Sequence, residues 1–195
     1  MSRKRALAIA LAFEGALLLL SFGLGWVTGV SPFGRLRFSG SGMMAGVATG
    51  VVLLGILALV TRSTWPPIAR LEAIVREFVA QFFAQAKLVD LAIVSALAGI
   101  AEEALFRGVL QAALAGALGT VPGVMLAAAL FGLAHLITPT YAVVAAAVGV
   151  LLGSLLVITG DLAAPIVAHT LYDFLALAWL VRTTGPVPEE VDRGP

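Results

Sequence analysis

The chain has 195 residues, no cysteine, 61% hydrophobic and only 12% charged residues, and a mean hydropathy of +1.06. A soluble domain carries about 25% charged residues, so half the usual solvating surface is missing and the solvent for most of this chain is lipid. Twelve basic and eleven acidic side chains leave a net charge of +1, which excludes a basic nucleic-acid binder and an acidic tail protein. The lack of cysteine excludes disulfides, thiolate nucleophiles and thiolate metal sites.

Crossing the hydrocarbon core takes about 20 apolar residues. The first candidate span, Ala6–Val30, follows the basic cluster Arg3-Lys4-Arg5. At about 25 residues, and without a small-x-small cleavage site, it reads as a retained anchor rather than a signal peptide. The second runs from Met43 to Val60. Trp65–Lys87 then carries Arg70, Glu72, Arg76 and Glu77 among Ile68, Leu71, Ile74, Val75, Phe78 and Phe82. That helical spacing predicts an amphipathic helix on the membrane surface, with Pro66-Pro67 at its tolerated start. Four more spans follow: Leu88–Leu118, Val121–Ile137, Tyr141–Ile158 and Ala163–Val181. Turn-forming residues separate them, at Gly119, Pro122-Gly123, Thr138-Pro139-Thr140 and Gly160-Asp161. The predicted fold is all-α: a polytopic membrane helix bundle of about six transmembrane helices plus one amphipathic surface helix, in a single integral membrane domain over residues 1–195.

Basic residues favour the cytoplasmic side. With the N-terminus inside, Arg3, Lys4, Arg5, Arg62, Arg70, Arg76, Lys87, Arg182 and Arg193 fall on that side, and only Arg35 and Arg37 fall opposite. A multi-pass protein of the cell membrane with both termini cytoplasmic is expected. The absence of a transporter-type internal repeat disfavours an alternating-access carrier. Gly42, Gly46 and Gly50 are spaced by four, as are Ala145, Gly149 and Gly153; such small-residue ridges serve close helix packing. Oligomeric state is open, since either ridge would serve a dimer as well. Arginine outnumbers lysine ten to two, a usage compatible with a GC-rich prokaryote.

Ionisable groups within a span are costly, by roughly 2.5–3.5 kcal/mol each on insertion scales. They face a polar cavity, pair with one another or do chemistry. The third span contains Glu102, Glu103 and Arg107, the fourth His135, and the sixth His169 and Asp173. Glu103 and Arg107, four apart, lie about 40° from each other around a helix and can pair, whereas Glu102 points about 140° away, toward another helix. His169 and Asp173 share a face, as do Phe131 and His135. Glu14, in the first span, has no motif around it. Upright helices with these boundaries would hold Glu102 and His135 roughly 10–15 Å apart along the membrane normal.

The three patterns Glu102-Glu103-x-x-x-Arg107, Phe131-x-x-x-His135 and His169-x-x-x-Asp173 occur in order on membrane spans. In this the chain resembles the CAAX protease and bacteriocin-processing family of intramembrane glutamic endopeptidases, of the type II CAAX prenyl endopeptidase kind, over roughly half its length. The resemblance implies a metal-independent peptidase without cofactor, a catalytic core over residues 88–181, and a peptide or protein substrate associated with the lipid bilayer. Asp173 stands where the eukaryotic prenyl-protein enzymes carry asparagine, so the substrate class is open between prenylated proteins, bacteriocin-like peptides and other membrane-anchored chains.

The residues support the same chemistry. A carboxylate withdrawn from water is a stronger base than one in water; Glu102 would take a proton from water as general base and return it to the leaving amine, with His135 helping to hold the water. Glu103, held by Arg107, would shape the site together with Phe131. His169 and Asp173 would stabilise the developing oxyanion, which needs a donor; Asp173 must then be protonated, or orient His169 through its other ring nitrogen. A zinc-dependent mechanism is the rival, because two histidines plus carboxylates are good ligands, although no HExxH is present. From other classes, a small proton or ion transporter and a non-catalytic membrane scaffold would use the same polar cluster.

Overall fold

The computed structural model describes residues 1–183. Its helices are α1 (Arg3–Thr28), α2 (Gly40–Val60), α3 (Pro66–Phe83) and α4 (Leu88–Glu103), which runs on through a π-helical segment (Ala104–Gln111) into α5 (Ala112–Leu118). Then come α6 (Thr120–Ala134), α7 (Pro139–Thr159) and α8 (Ala163–Thr183). No strand occurs among the described residues, and the protein is a polytopic helical bundle. The expected third span is thus one long rod, α4–π–α5. Arg193, part of the tail expected on the cytoplasmic side, lies outside the described residues.

Local chemistry sets the boundaries. The Ser39 side chain accepts from Gly42 N and caps α2; Thr138 does the same for α7 through Tyr141 N. Helices α1 and α7 stop at Gly29 (φ 71°) and Gly160 (φ 64°), in the left-handed region open to glycine at little cost. α1, α2, α7 and α8 are long and apolar enough to cross a membrane, and α6 is a shorter apolar helix. Only 11% of the apolar window of α1 is buried, and Trp26 and Ile158 are 87% and 82% exposed. An outer surface this apolar belongs in lipid.

Both glycine ridges are packing faces. A Cβ on Gly46 would come within 2.5 Å of the Ala164 carbonyl oxygen on α8, and one on Gly149 within 3.0 Å of Ala128 Cα on α6. These close approaches fix α2 against α8 and α7 against α6. Helix α3 is amphipathic: Leu71, Val79, Ala80 and Phe83 are buried while Arg70 and Glu77 are exposed. Val79 and Phe83 pack with Leu91 and Val94 of α4 and Ala178 and Leu180 of α8.

Each end of the bundle is held by a buried aspartate. At one end Arg3 grips Asp90 with two hydrogen bonds of 2.5 and 2.6 Å, and Asp90 also accepts from Lys87 N at 2.7 Å. Asp90 falls within the apolar run of the third span, yet it serves as the cap of α4. At the other end Asp161 is 1% exposed. It accepts from Arg37 N, Ser39 N, the Ser39 hydroxyl and Ala163 N at 2.6–3.0 Å, tying the α1–α2 loop to the start of α8. Burial opposes its charge, but these four donors outweigh burial and hold the carboxyl well below the usual carboxylate range.

Replacing Asp161 with alanine strands those donors and is expected to cost about 3 kcal/mol, read as a lower thermal midpoint in detergent. A depressed folded-state pKa places the Asp161 contribution fully above the ordinary carboxylate value. It is lost as pH falls below that value through the folded pKa. The difference between wild type and Asp161→Ala should therefore be constant near neutrality and shrink only in acid. An equal midpoint for the two proteins at neutral pH would contradict this role.

Candidate active site

The rod α4–π–α5 and helix α6 meet at a tight turn on Gly119 (φ 94°) and run antiparallel. Glu102 precedes Gly119 by nearly as many residues as His135 follows it, so equal rise per residue brings both to one level. Glu102 Oε2 and His135 Nε2 are 3.8 Å apart. The expected offset along the normal is therefore absent, because depth is set by the shared turn and not by the middle of each apolar run.

His135 is the residue that ends α6, with φ −99° and ψ 20°. Its Nδ1 lies 2.8 Å from the Phe131 carbonyl oxygen. In the neutral ring Nδ1–H donates there, which leaves the Nε2 lone pair facing Glu102. From α8, His169 Nε2 is 3.9 Å from the same Glu102 oxygen and 3.4 Å from Asp173 Oδ2. Its Nδ1 lies 2.8 Å from Glu103 Oε1.

Glu103 is completely buried and shares Oε1 between His169 and Arg107, whose Nη1 donates at 2.9 Å. Arg107, 1% exposed, also donates from Nη2 to the Gly149 carbonyl oxygen on α7 at 3.2 Å. The same glycine lets α7 pack closely on Ala128 of α6. The guanidinium stands 4.5 Å from the centroid of the Phe131 ring, which in turn meets Phe106 edge-on at 5.0 Å. Glu103–Arg107 thus makes a neutral pair inside the rod and fixes His169 from behind. Glu102 and Glu103 are the last residues of α4 and Arg107 lies in the π-helical segment that follows, a departure from α geometry common at functional sites.

The structure brings Glu102, Glu103, Arg107, Phe131, His135, His169 and Asp173 together from α4, the π segment, α6 and α8. One expectation is sharpened. Glu103, and not Asp173, holds the far nitrogen of His169, while Asp173 faces the nitrogen directed at Glu102. Two further residues enter that motif reasoning passed over. Glu14 of α1 is 8% exposed, its Oε2 has no hydrogen-bond partner among the described residues, and it lies within electrostatic reach of Glu102, His169 and Asp173. Its buried stripe on α1 with Ala6 and Ser21 was the available sequence signal. Tyr141, at the start of α7, meets the His135 ring edge-on at 5.8 Å.

Asp173, Tyr141 and Tyr172 also border a cleft of about 320 Å³ between α2, α3, α7 and α8. Its remaining walls are mostly apolar, including Leu57, Ile68, Phe78, Val144 and Trp179. One polar corner of this cleft is therefore an edge of the carboxylate–histidine cluster.

No curated protein and no solved structure matches the chain. Residues 84–175, a little under half of the chain and including all three motifs, match the family described as Type II CAAX prenyl endopeptidase Rce1-like. Over that segment, which carries the whole cluster, the chain is similar to the CAAX protease family.

Proposed function

We propose that this protein is an intramembrane endopeptidase that hydrolyses a peptide bond with a water molecule activated by Glu102, without metal or cofactor. The observation that carries the reading is the position of Glu102 Oε2 between the Nε2 atoms of His135 and His169, at 3.8 and 3.9 Å. These separations exceed hydrogen-bonding distance and suit one oxygen atom placed between the groups. A water there donates one hydrogen to Glu102 and the other to His135 Nε2. Glu102 removes its proton as the oxygen attacks the carbonyl carbon, then passes that proton to the leaving amine. His169, held by Glu103, and Asp173 lie where a donor meets the oxyanion; a proton on His169 Nε2 or on Asp173 fills that role.

Zinc is the rival reading: both histidines engage Nδ1, with Phe131 O and with Glu103, and turn Nε2 toward Glu102, an arrangement that metal-binding histidines also use.

The catalytic core is residues 88–181, with α3 lying in the interface over the cytoplasmic end of the bundle and both termini on that side. The basic residues Arg3, Arg70, Arg76 and Lys87 support this orientation. The cleft beside Asp173 falls in the usual size range of ligand pockets, and its apolar walls suit a membrane-anchored peptide or protein.

The test is cleavage of a library of membrane-anchored peptides by purified protein in lipid nanodiscs, with and without a strong chelator. Cleavage unaffected by the chelator is expected. Loss of cleavage with restoration by zinc would overturn the metal-free mechanism, and absence of any cleavage would favour the transporter or scaffold.

A further inference from the structure

At the end of the bundle away from Arg3 and Asp90, a cavity of about 370 Å³ is lined by Arg35, Arg37, Gln111, Thr120, Leu156 and Val157, among others. Both arginines are exposed, and neither guanidinium has an ion-pair or hydrogen-bond partner among the described residues. The one carboxylate built into this end, Asp161, is buried and occupied by backbone and hydroxyl donors, as described above. Asp161 therefore positions the loop without spending its charge on the guanidinium groups.

The loop is held in a fixed shape. Leu162 N donates to Arg35 O at 2.9 Å and Arg37 N donates to Asp161. Next to Arg37, Phe38 adopts φ 52°, a left-handed conformation rare for an aromatic residue. Gly108 of the π segment packs directly under Pro32 O of the same loop, where a Cβ would collide. The backbone of two arginines two residues apart is thus fixed beside one cavity that both side chains line.

The remaining walls identify the class of anion. Val157 is 44% exposed and its neighbour Ile158 82% exposed; Val121, beside Thr120, is 73% exposed. A cationic cavity that opens onto lipid-facing apolar surface matches a headgroup phosphate with its acyl chains, since arginine pairs suit phosphate oxygens geometrically. We propose that Arg35 and Arg37 form a binding site for an anionic phospholipid in the leaflet at this end of the bundle. This site is remote from the carboxylate–histidine cluster and does not depend on its activity.

The experiment is native mass spectrometry of the purified protein in detergent after exchange against mixed phosphatidylglycerol and phosphatidylcholine. Wild type is expected to retain phosphatidylglycerol preferentially. Arg35→Gln/Arg37→Gln should lower that retention by roughly fivefold per arginine and about thirtyfold for both. The exposed side chains make no contacts that folding needs, and unchanged thermal unfolding of the double variant checks this. Equal retention of the two lipids, or unchanged retention in the double variant, would overturn the proposal. Competition by free glycerol phosphate at the same concentration as the lipid would also overturn it, by showing a site for a soluble anion.

Discussion

Glu102→Gln is expected to lower kcat/KM for peptide cleavage by about 10²–10⁴-fold, the contribution of a positioned general base, with little change in thermal stability. The amide keeps the size of the side chain but takes up no proton from water. Structural cost is small because Glu102 Oε2 makes no hydrogen bond among the described residues, and its histidine neighbours stand 3.8 and 3.9 Å away. Activity and stability measured on one preparation separate a base from a packing residue. A variant that unfolds would indicate a structural carboxylate, and one that cleaves at the wild-type rate would remove Glu102 from the mechanism.

Arg107→Met is expected to act in the opposite way, destabilising the fold by about 3–5 kcal/mol, the usual cost of orphaning one member of a buried ion pair. Glu103 would keep His169 but lose the guanidinium that balances its charge, and Gly149 O would lose its donor. Removing both charges, in Glu103→Met/Arg107→Met, should recover much of that stability because no buried ion is left unpaired. Cleavage should not recover, since His169 Nδ1 would then have no acceptor to orient it. Thermal unfolding in detergent and kcat/KM read the two effects independently. A single variant as stable as wild type would show that the pair does not hold the bundle.

The periodicity of the sequence carried the helices and most of the cluster, for physical reasons that also mark its limits. Apolar runs bounded by Gly119, Thr138-Pro139 and Gly160 delimit helices because lipid leaves the backbone no partners outside its own helix. Spacing by four places Glu103 with Arg107 and His169 with Asp173, since that relation is local to one helix. Contacts between helices carry no such local rule. The second partner of Glu103, on α8, and the Gly149 carbonyl under Arg107 depend on which faces meet. The shared depth of Glu102 and His135 depends on the Gly119 turn. Asp161 carried no motif, although its four donors tie two loops together, and Glu14 became interpretable only once α1 was seen to turn its buried stripe toward α4.

The most direct test of water activation is a single turnover in H₂¹⁸O, with enzyme in excess over a membrane-anchored peptide that it cleaves. Direct attack by water held at Glu102 predicts ¹⁸O in the new carboxylate of the first-turnover product and an unlabelled Glu102. An unlabelled first product, together with ¹⁸O in the enzyme peptide containing Glu102, would mean that the carboxylate itself attacks the substrate, and would contradict the account.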